Sequence, residues 1–251
     1  MSSISGGWRG PSISKNGLLI YLDGLSPNSF PINQSLLSWK DISGNGNNGT
    51  LVSSPTLTRN SIGFYTFNGT SQYVNCGNSS NLQITEGSVG AWIKATSGNS
   101  SFKGIITKQN AWGLFLIDNV LCAFDWGNYF KSCPPPLGTG AACDINAGIR
   151  STGINLGTNT WTNVMMTFTE TRGVSLPGPP QNNVNIYVNG YLVLTTTILH
   201  VDHTAPIQFA YANYSPQFFS GSIAQGLVYN KVLTSDEVLQ NYNATKSRFG
   251  L

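Results

Sequence analysis

At 251 residues, with 40% hydrophobic and 11% aromatic side chains, the chain carries enough apolar material to fill the space between two sheets of one large domain. Thirteen Lys and Arg against ten Asp and Glu leave a net charge of +3, with no stretch that gathers four basic residues, so nucleic acid is excluded as a partner held by phosphate neutralisation. No segment approaches the ~18 consecutive apolar residues of a membrane-spanning helix, which excludes a membrane partner, and only 9% of residues are charged, so amides, hydroxyls and glycine must make most of the surface.

Residues 1–16 are rich in Ser and Gly and follow neither the helical nor the strand period, which predicts an extended N-terminal arm. Trp8, Arg9 and Pro11 lie within it, and Trp and Arg are residue types that anchor interfaces, so these three are candidate interface residues. The opening MSSISGGWRGPSIS has no apolar stretch of the signal-peptide kind, from which synthesis in a cytoplasm without secretory export is expected. From Leu18 onward, short runs of β-branched and aromatic residues alternate with turn clusters.

The first such run is Leu18 to Asp23, followed by Asp41 to Thr50, DISGNGNNGT. Asp, Asn and carbonyl oxygens make this the natural place for calcium, yet the acidic spacing of an EF-hand is missing, and tight turns with left-handed Asn and Gly account for the same residues. Strands are then expected at Gly63 to Phe67, Tyr73 to Cys76, Ser88 to Ala95, Gly104 to Lys108, Gly113 to Ile117 and Leu121 to Asp125. Just after the last of these, Phe124, Asp125, Trp126 and Tyr129 set aromatic rings beside a carboxylate. Rings stack on sugar faces and Asp bonds hydroxyls, so Asp125, Trp126 and Tyr129 are the candidate glycan-binding residues, against a plainer reading as core aromatics.

Prolines mark loop insertions near 131–153 and 175–183. Cys133 and Cys143 fall in the first and could bridge or stay reduced, while Cys76 and Cys122 sit in alternating strand patterns and read as buried small hydrophobes. Paired CxxC or Cys/His spacing is absent, so no metal ligands are assigned. Strands follow at Thr160 to Thr169, Val184 to Val188 and Tyr191 to Thr197, and Asn189-Gly190 supplies the positive φ angles of a two-residue hairpin turn. In the stretch from His200 to His203, His200 and Asp202 would share a strand face while His203 points away, so three ligands are not aimed at one ion. After strands at Ile207 to Tyr211 and Gly221 to Tyr229, one helix is predicted: Thr234 and Glu237 form a capping box, Leu233 can staple to Val238, and Val238, Leu239 and Tyr242 make its buried stripe.

The blocks GLLIYLDGLSPNSFP, LLSWKDISGNGNNGTLV and FYTFNGTSQYVNCG, followed in order by SVGAWIKA, WTNVMMTF, NIYVNGYLV and GSIAQGLVYNKVLTSDEVLQNYNATKSRFGL, resemble laminin-G-like jelly-roll domains of the concanavalin-A-like lectin and glucanase superfamily. The resemblance runs from about Gly17 to Leu251. It implies an all-β fold, a two-sheet antiparallel jelly-roll sandwich with one short C-terminal helix and the first strand close to the last. Glucanases of this fold set two carboxylates at alternating positions of one strand, where a retaining glycosidase needs them ~5 to 5.5 Å apart. No E-x-D pair exists here, so no catalytic residues are assigned and the chain is expected not to be an enzyme.

The RGP arm and the closing NYNATKSRFGL are similar to versions carried by tailed phages, many of them virion proteins. That implies a non-enzymatic virion structural protein, on capsid or tail, with weak glycan adhesion. It is made in the host cytoplasm, located in the virion, and forms a homo-oligomer, with a trimer favoured. Its expected partners are other virion proteins and cell-surface glycans, with no cofactor. The alternative is a stand-alone carbohydrate-binding module, with a glycan hydrolase a distant third.

Overall fold

Alternation between apolar and polar residues over four to ten positions can bury only one side of a strand, and burying it demands a second layer. The computed structural model describes residues 12–29, 37–96, 99, 101–127, 132, 144–171, 181–199, 204–213 and 217–251. Trp8, Arg9, Pro11, Tyr129, Cys133, Cys143 and the residues from His200 to His203 lie outside them. Among the described residues the strands are, in chain order, β1 (Leu18–Asp23), β2 (Ser38–Trp39), β3 (Gly49–Val52), β4 (Thr56–Thr58), β5 (Phe64–Asn68), β6 (Tyr73–Asn75), β7 (Gly87–Ala95) and β8 (Lys103–Lys108). They continue with β9 (Trp112–Ile117), β10 (Val120–Phe124), β11 (Ile149–Asn155), β12 (Trp161–Thr171), β13 (Gln181–Val188), β14 (Tyr191–Leu199), β15 (Ile207–Phe209) and β16 (Ser220–Tyr229).

Two antiparallel sheets result. Sheet I runs β14-β13-β12-β7-β16-β5-β4, with β1 pairing the second half of β16, and sheet II runs β11-β10-β9-β8-β15-β6-β3-β2. The first strand therefore lies beside the last, as expected of the jelly roll. Strand period two sorts the side chains: Val164, Met166 and Phe168 of β12 enter the core between the sheets, while Met165 belongs to a separate cluster on the outer face. Sheet II answers from across the core with Val74, Ile106, Leu114 and Phe209. Each such side chain taken out of water contributes ~1.5 to 3 kcal/mol, which makes this layer the main source of stability. Asn189 and Gly190 turn β13 into β14 with φ of 51° and 81°, the left-handed pair that a two-residue hairpin requires.

The C-terminal α-helix, α1 (Ser235–Thr245), lies on the outer face of sheet I. Its capping box is formed: Glu237 N–H donates to Thr234 Oγ1 at 3.3 Å and Thr234 N–H to Glu237 Oε2 at 3.0 Å. Val238 packs with Met165, Leu227 and Tyr229 of the sheet, and Leu233 joins the same cluster. Tyr242 packs on Trp92, whose Nε1 donates to Thr245 Oγ1 at 2.8 Å. A short 3₁₀ turn, Lys246–Phe249, then stacks the Phe249 ring on Trp92 with centroids 3.9 Å apart.

Three expectations change. Ile149 to Gly153, placed in the first loop insertion, belong to the edge strand β11; it is largely exposed on both faces and so lacks the alternation by which strands are recognised. Gln181 to Asn183, placed in the second insertion, already belong to β13. The end of the arm is docked rather than extended: Ile13 is buried against Tyr229 and Val238, Ser14 N–H donates to Asn241 Oδ1 at 2.7 Å, and Gln240 Nε2 donates to Ser12 O at 2.7 Å.

Candidate functional site

The outer face of sheet II carries a different set of residues from the face under α1. Register aligns Asn75 of β6 with Gln208 of β15, and Gln208 with Thr107 of β8, so these three side chains form one row on the same face. Tyr73, two residues before Asn75, extends that face along β6. Beyond β15 the chain folds back over the row. Ala210 takes a left-handed φ of 64°, a conformation that costs a non-glycine residue of order 1 kcal/mol and is kept where the surrounding structure demands it. The carbonyl of Tyr211 then crosses β8 at Gly104, where a Cβ would lie 2.5 Å from it, and it accepts a 2.8 Å bond from Thr107 Oγ1.

This path brings Tyr73, Tyr211 and Phe218 together. The rings of Tyr73 and Tyr211 lie 4.7 Å apart and those of Tyr211 and Phe218 stack at 4.5 Å, all three half-buried. Tyr211 Oη donates to Asn213 Oδ1 at 3.1 Å. Partial burial, then the neighbouring Tyr73, pushes the Tyr211 phenol above its ordinary value, so it stays a neutral donor. Within the row, Gln208 is 4% exposed and its Oε1 has no hydrogen-bond partner. The chemistry on offer is a ring platform edged by neutral amides and hydroxyls, the set that takes the apolar face and the hydroxyls of a sugar.

The residues expected to bind glycan are placed otherwise. Asp125 and Trp126 are 0% and 2% exposed. Asp125 pairs with Arg150 at 2.7 Å, and Trp126 packs edge-on to Phe124 with centroids 5.2 Å apart. The plainer reading, aromatics in a core, holds for Trp126, because Phe115, Cys122 and Phe124 form a second small core around it on sheet II. Tyr129 lies outside the described residues. The calcium reading of Asp41 to Thr50 also gives way. Asp41 Oδ1 accepts from the N–H groups of Tyr21 and Ser43, and Oδ2 from Ser43 Oγ and Asn47 N–H, all within 2.8 to 3.0 Å, so the carboxylate is spent on closing the turn. Among the described residues no group of three or more His, Cys, Asp and Glu comes together.

Asp23 is likewise held, by Arg248 Nη1 at 2.8 Å. Cys76 and Cys122 are buried, and burial pushes the Cys122 thiol up to about 12. A cleft of about 510 Å³ lined by Leu37, Leu57, Arg59 and Tyr65 shares no residue with the ring platform. Sequence reasoning missed the platform because its rings come from three separate segments. The available signal was Tyr73 itself, an aromatic at an outward position of an alternating strand.

A family model described as the concanavalin A-like lectin/glucanases superfamily matches residues 68–239. No curated protein sequence matches the chain. Among solved structures, the chain is similar to the binding domain of Paraclostridial Mosquitocidal Protein 1 at 15% identity and TM-score 0.60, covering 92% of this chain and 52% of that one. It is similar to domain 4 of AbnA, an extracellular arabinanase from Geobacillus stearothermophilus in complex with arabinotriose, at 15% identity and TM-score 0.59, covering 91% of this chain and 100% of that one. A Trypanosoma rangeli sialidase gives TM-score 0.64 at 12% identity, covering 99% of this chain and 36% of that one. The chain thus spans about half of the toxin domain and about a third of the sialidase, and at these identities the likeness is one of fold.

Proposed function

The chain belongs to the concanavalin A-like lectin/glucanases superfamily, and from that premise we propose that it is a non-enzymatic binding module that takes a short neutral oligosaccharide on Tyr73, Tyr211 and Phe218. The observation that carries this reading is the half-buried stack of these three rings on the sheet face that bears the row Asn75, Gln208 and Thr107. Among the described residues no charged side chain is hydrogen-bonded to the platform's tyrosines, so a neutral sugar fits better than an acidic one. The arabinotriose bound to the arabinanase domain of similar fold is a ligand of that class. Catalysis is not part of the proposal, because Asp23, Asp41 and Asp125 are each committed to an arginine or to backbone amides.

The setting we propose is a phage particle, with this module as a structural protein on capsid or tail and the segment bearing Trp8, Arg9 and Pro11 as its attachment. Support comes from the RGP arm and the NYNATKSRFGL ending.

The binding reading is tested on an array of neutral and acidic oligosaccharides. Binding of a neutral class, reduced at least tenfold by Tyr211→Ala or Phe218→Ala with the melting transition retained, is expected. Absence of binding, or binding indifferent to both substitutions, overturns it, and release of reducing ends from the bound sugar overturns the non-enzymatic part.

A further inference from the structure

α1 and the 3₁₀ turn after it cover only part of the outer face of sheet I. Phe249, at the end of that turn, stacks on Trp92 of β7, and the Trp161 ring meets it at 5.2 Å. Next to Trp92 the register sets one row across four strands: Thr66 of β5 opposite Ser222 of β16, Ser222 opposite Lys94 of β7, and Lys94 opposite Trp161 of β12. Lys94 lies two residues after Trp92, so the row is on the same outer side.

Lys94 is the exception in its strand. Every other residue of β7 is buried, whereas Lys94 is half-buried with its Nζ 5.2 Å from the Phe64 ring centroid and 5.3 Å from that of Trp161. Among the described residues it makes no ion pair and no hydrogen bond. Ring faces hold a cation in place without using its N–H donors, so all three remain for a ligand. Asp23, a carboxylate on the same side of the sheet, does not answer the charge, because Arg248 holds it at 2.8 Å. Beside Lys94, Ser222 is 4% exposed and shares a 3.1 Å hydrogen bond with Thr66, which fixes the half-buried Thr66 hydroxyl.

We propose that this corner is a second binding site, for a carboxylated sugar, with the carboxylate on Lys94 Nζ, a ring hydroxyl on Thr66 Oγ1 and the apolar ring face against the half-buried aromatics. Charge selects an acid, and an ammonium already seated on two rings loses little freedom when it binds one. The backbone selects against a peptide. Thr66, Ser222 and Lys94 each have paired strands on both sides, so their ladders offer a peptide's own N–H and C=O groups no partner. Side chains alone do the recognising, and they are a cation, a hydroxyl and rings. The site shares no residue with the Tyr73, Tyr211 and Phe218 platform and does not depend on it.

Titration calorimetry of the full chain with trigalacturonate and with sialyllactose tests this, the two arms separating a uronate from a sialylated source. At least one of them should bind, and raising the salt concentration should weaken the binding. Lys94→Gln should weaken it about tenfold or more, the worth of a hydrogen bond to a charged group, while Lys94→Arg keeps most of it and both variants retain the melting transition. Tyr211→Ala should leave it unchanged, so the outcome does not hang on the platform. On the Tyr211→Ala chain, the methyl ester of the bound acid should bind about tenfold more weakly than the acid itself. Failure of both acids to bind, binding indifferent to Lys94→Gln or to esterification, or equal binding of a triglutamate peptide would each overturn the proposal.

Discussion

The two outer faces of the sandwich are built from the same strand geometry and have opposite fates. On sheet I the outward residues Met165, Leu227 and Tyr229 are apolar or aromatic, and α1 and the end of the N-terminal arm close over them. On sheet II, around β6 and β15, the outward residues are Tyr73, Asn75 and Gln208, and the three platform rings stay half-open. Apolar outward residues need a roof, because leaving them wet forfeits the free energy of burial. Tyrosines and amides do not, since each has a polar end that water can satisfy. The covered face should therefore carry stability and the open face binding, and the two should separate under mutation.

The largest effect is expected where the roof is pinned. Arg248, just beyond α1, reaches Asp23 Oδ1 at 2.8 Å, Ile62 O at 2.6 Å and Gly63 O at 3.0 Å, with both charged side chains close to one-tenth exposed. Gly63 holds a left-handed φ of 63° and passes so close to Gly24 that a Cβ would lie 2.3 Å from the Gly24 carbonyl, so the acceptors that Arg248 meets are fixed in place. Arg248→Ala leaves a nearly buried carboxylate without its cation, and a loss of about 3 kcal/mol is expected. Urea unfolding would measure it through the midpoint. A loss under about 1 kcal/mol would mean that the C-terminal turn does not hold the roof, and the contrast between the faces would weaken. Binding to an oligosaccharide that recognises the wild type should be unaffected below the transition.

Much of this contrast could be read from the sequence, and the part that could not has a physical cause. Leu18–Asp23 has the same limits as the expected strand, and the Thr234 cap and the Asn189-Gly190 turn form as their local chemistry requires. These are features whose determinants lie within a few residues of each other. β2, β3 and β4 escape because two to four residues show no period, and β11 because an edge strand wet on both faces has no apolar side to alternate. The site was harder still. Phe124 to Tyr129 gathers aromatics in sequence, yet Asp125 is closed off by Arg150, which arrives from the next strand of sheet II. Tyr73, Tyr211 and Phe218 meet only because β6 and β15 are neighbours and the chain beyond β15 folds back.

The finest test removes one phenol oxygen from each face. Tyr229 Oη donates to Ser14 O at 3.0 Å and accepts from Asn241 Nδ2 at 3.1 Å, under the roof and out of water. Burial pushes that phenol well above its ordinary value, so it is neutral and both bonds persist at any pH at which the chain is folded. Tyr229→Phe should cost about 2 kcal/mol, because a buried carbonyl and a buried amide are left with fewer partners. Tyr211 Oη makes its bond to Asn213 at an exposed position, and water can replace it. Tyr211→Phe keeps the stacked ring and should therefore change stability by less than about 0.5 kcal/mol. It should still weaken oligosaccharide binding by roughly threefold to tenfold, the worth of one hydrogen bond to a hydroxyl. Melting and binding measured on the two variants decide the matter together. If Tyr211→Phe lowers stability as much as Tyr229→Phe does, the platform is a piece of the core rather than a surface held open for a ligand, and the two faces differ in composition without differing in role.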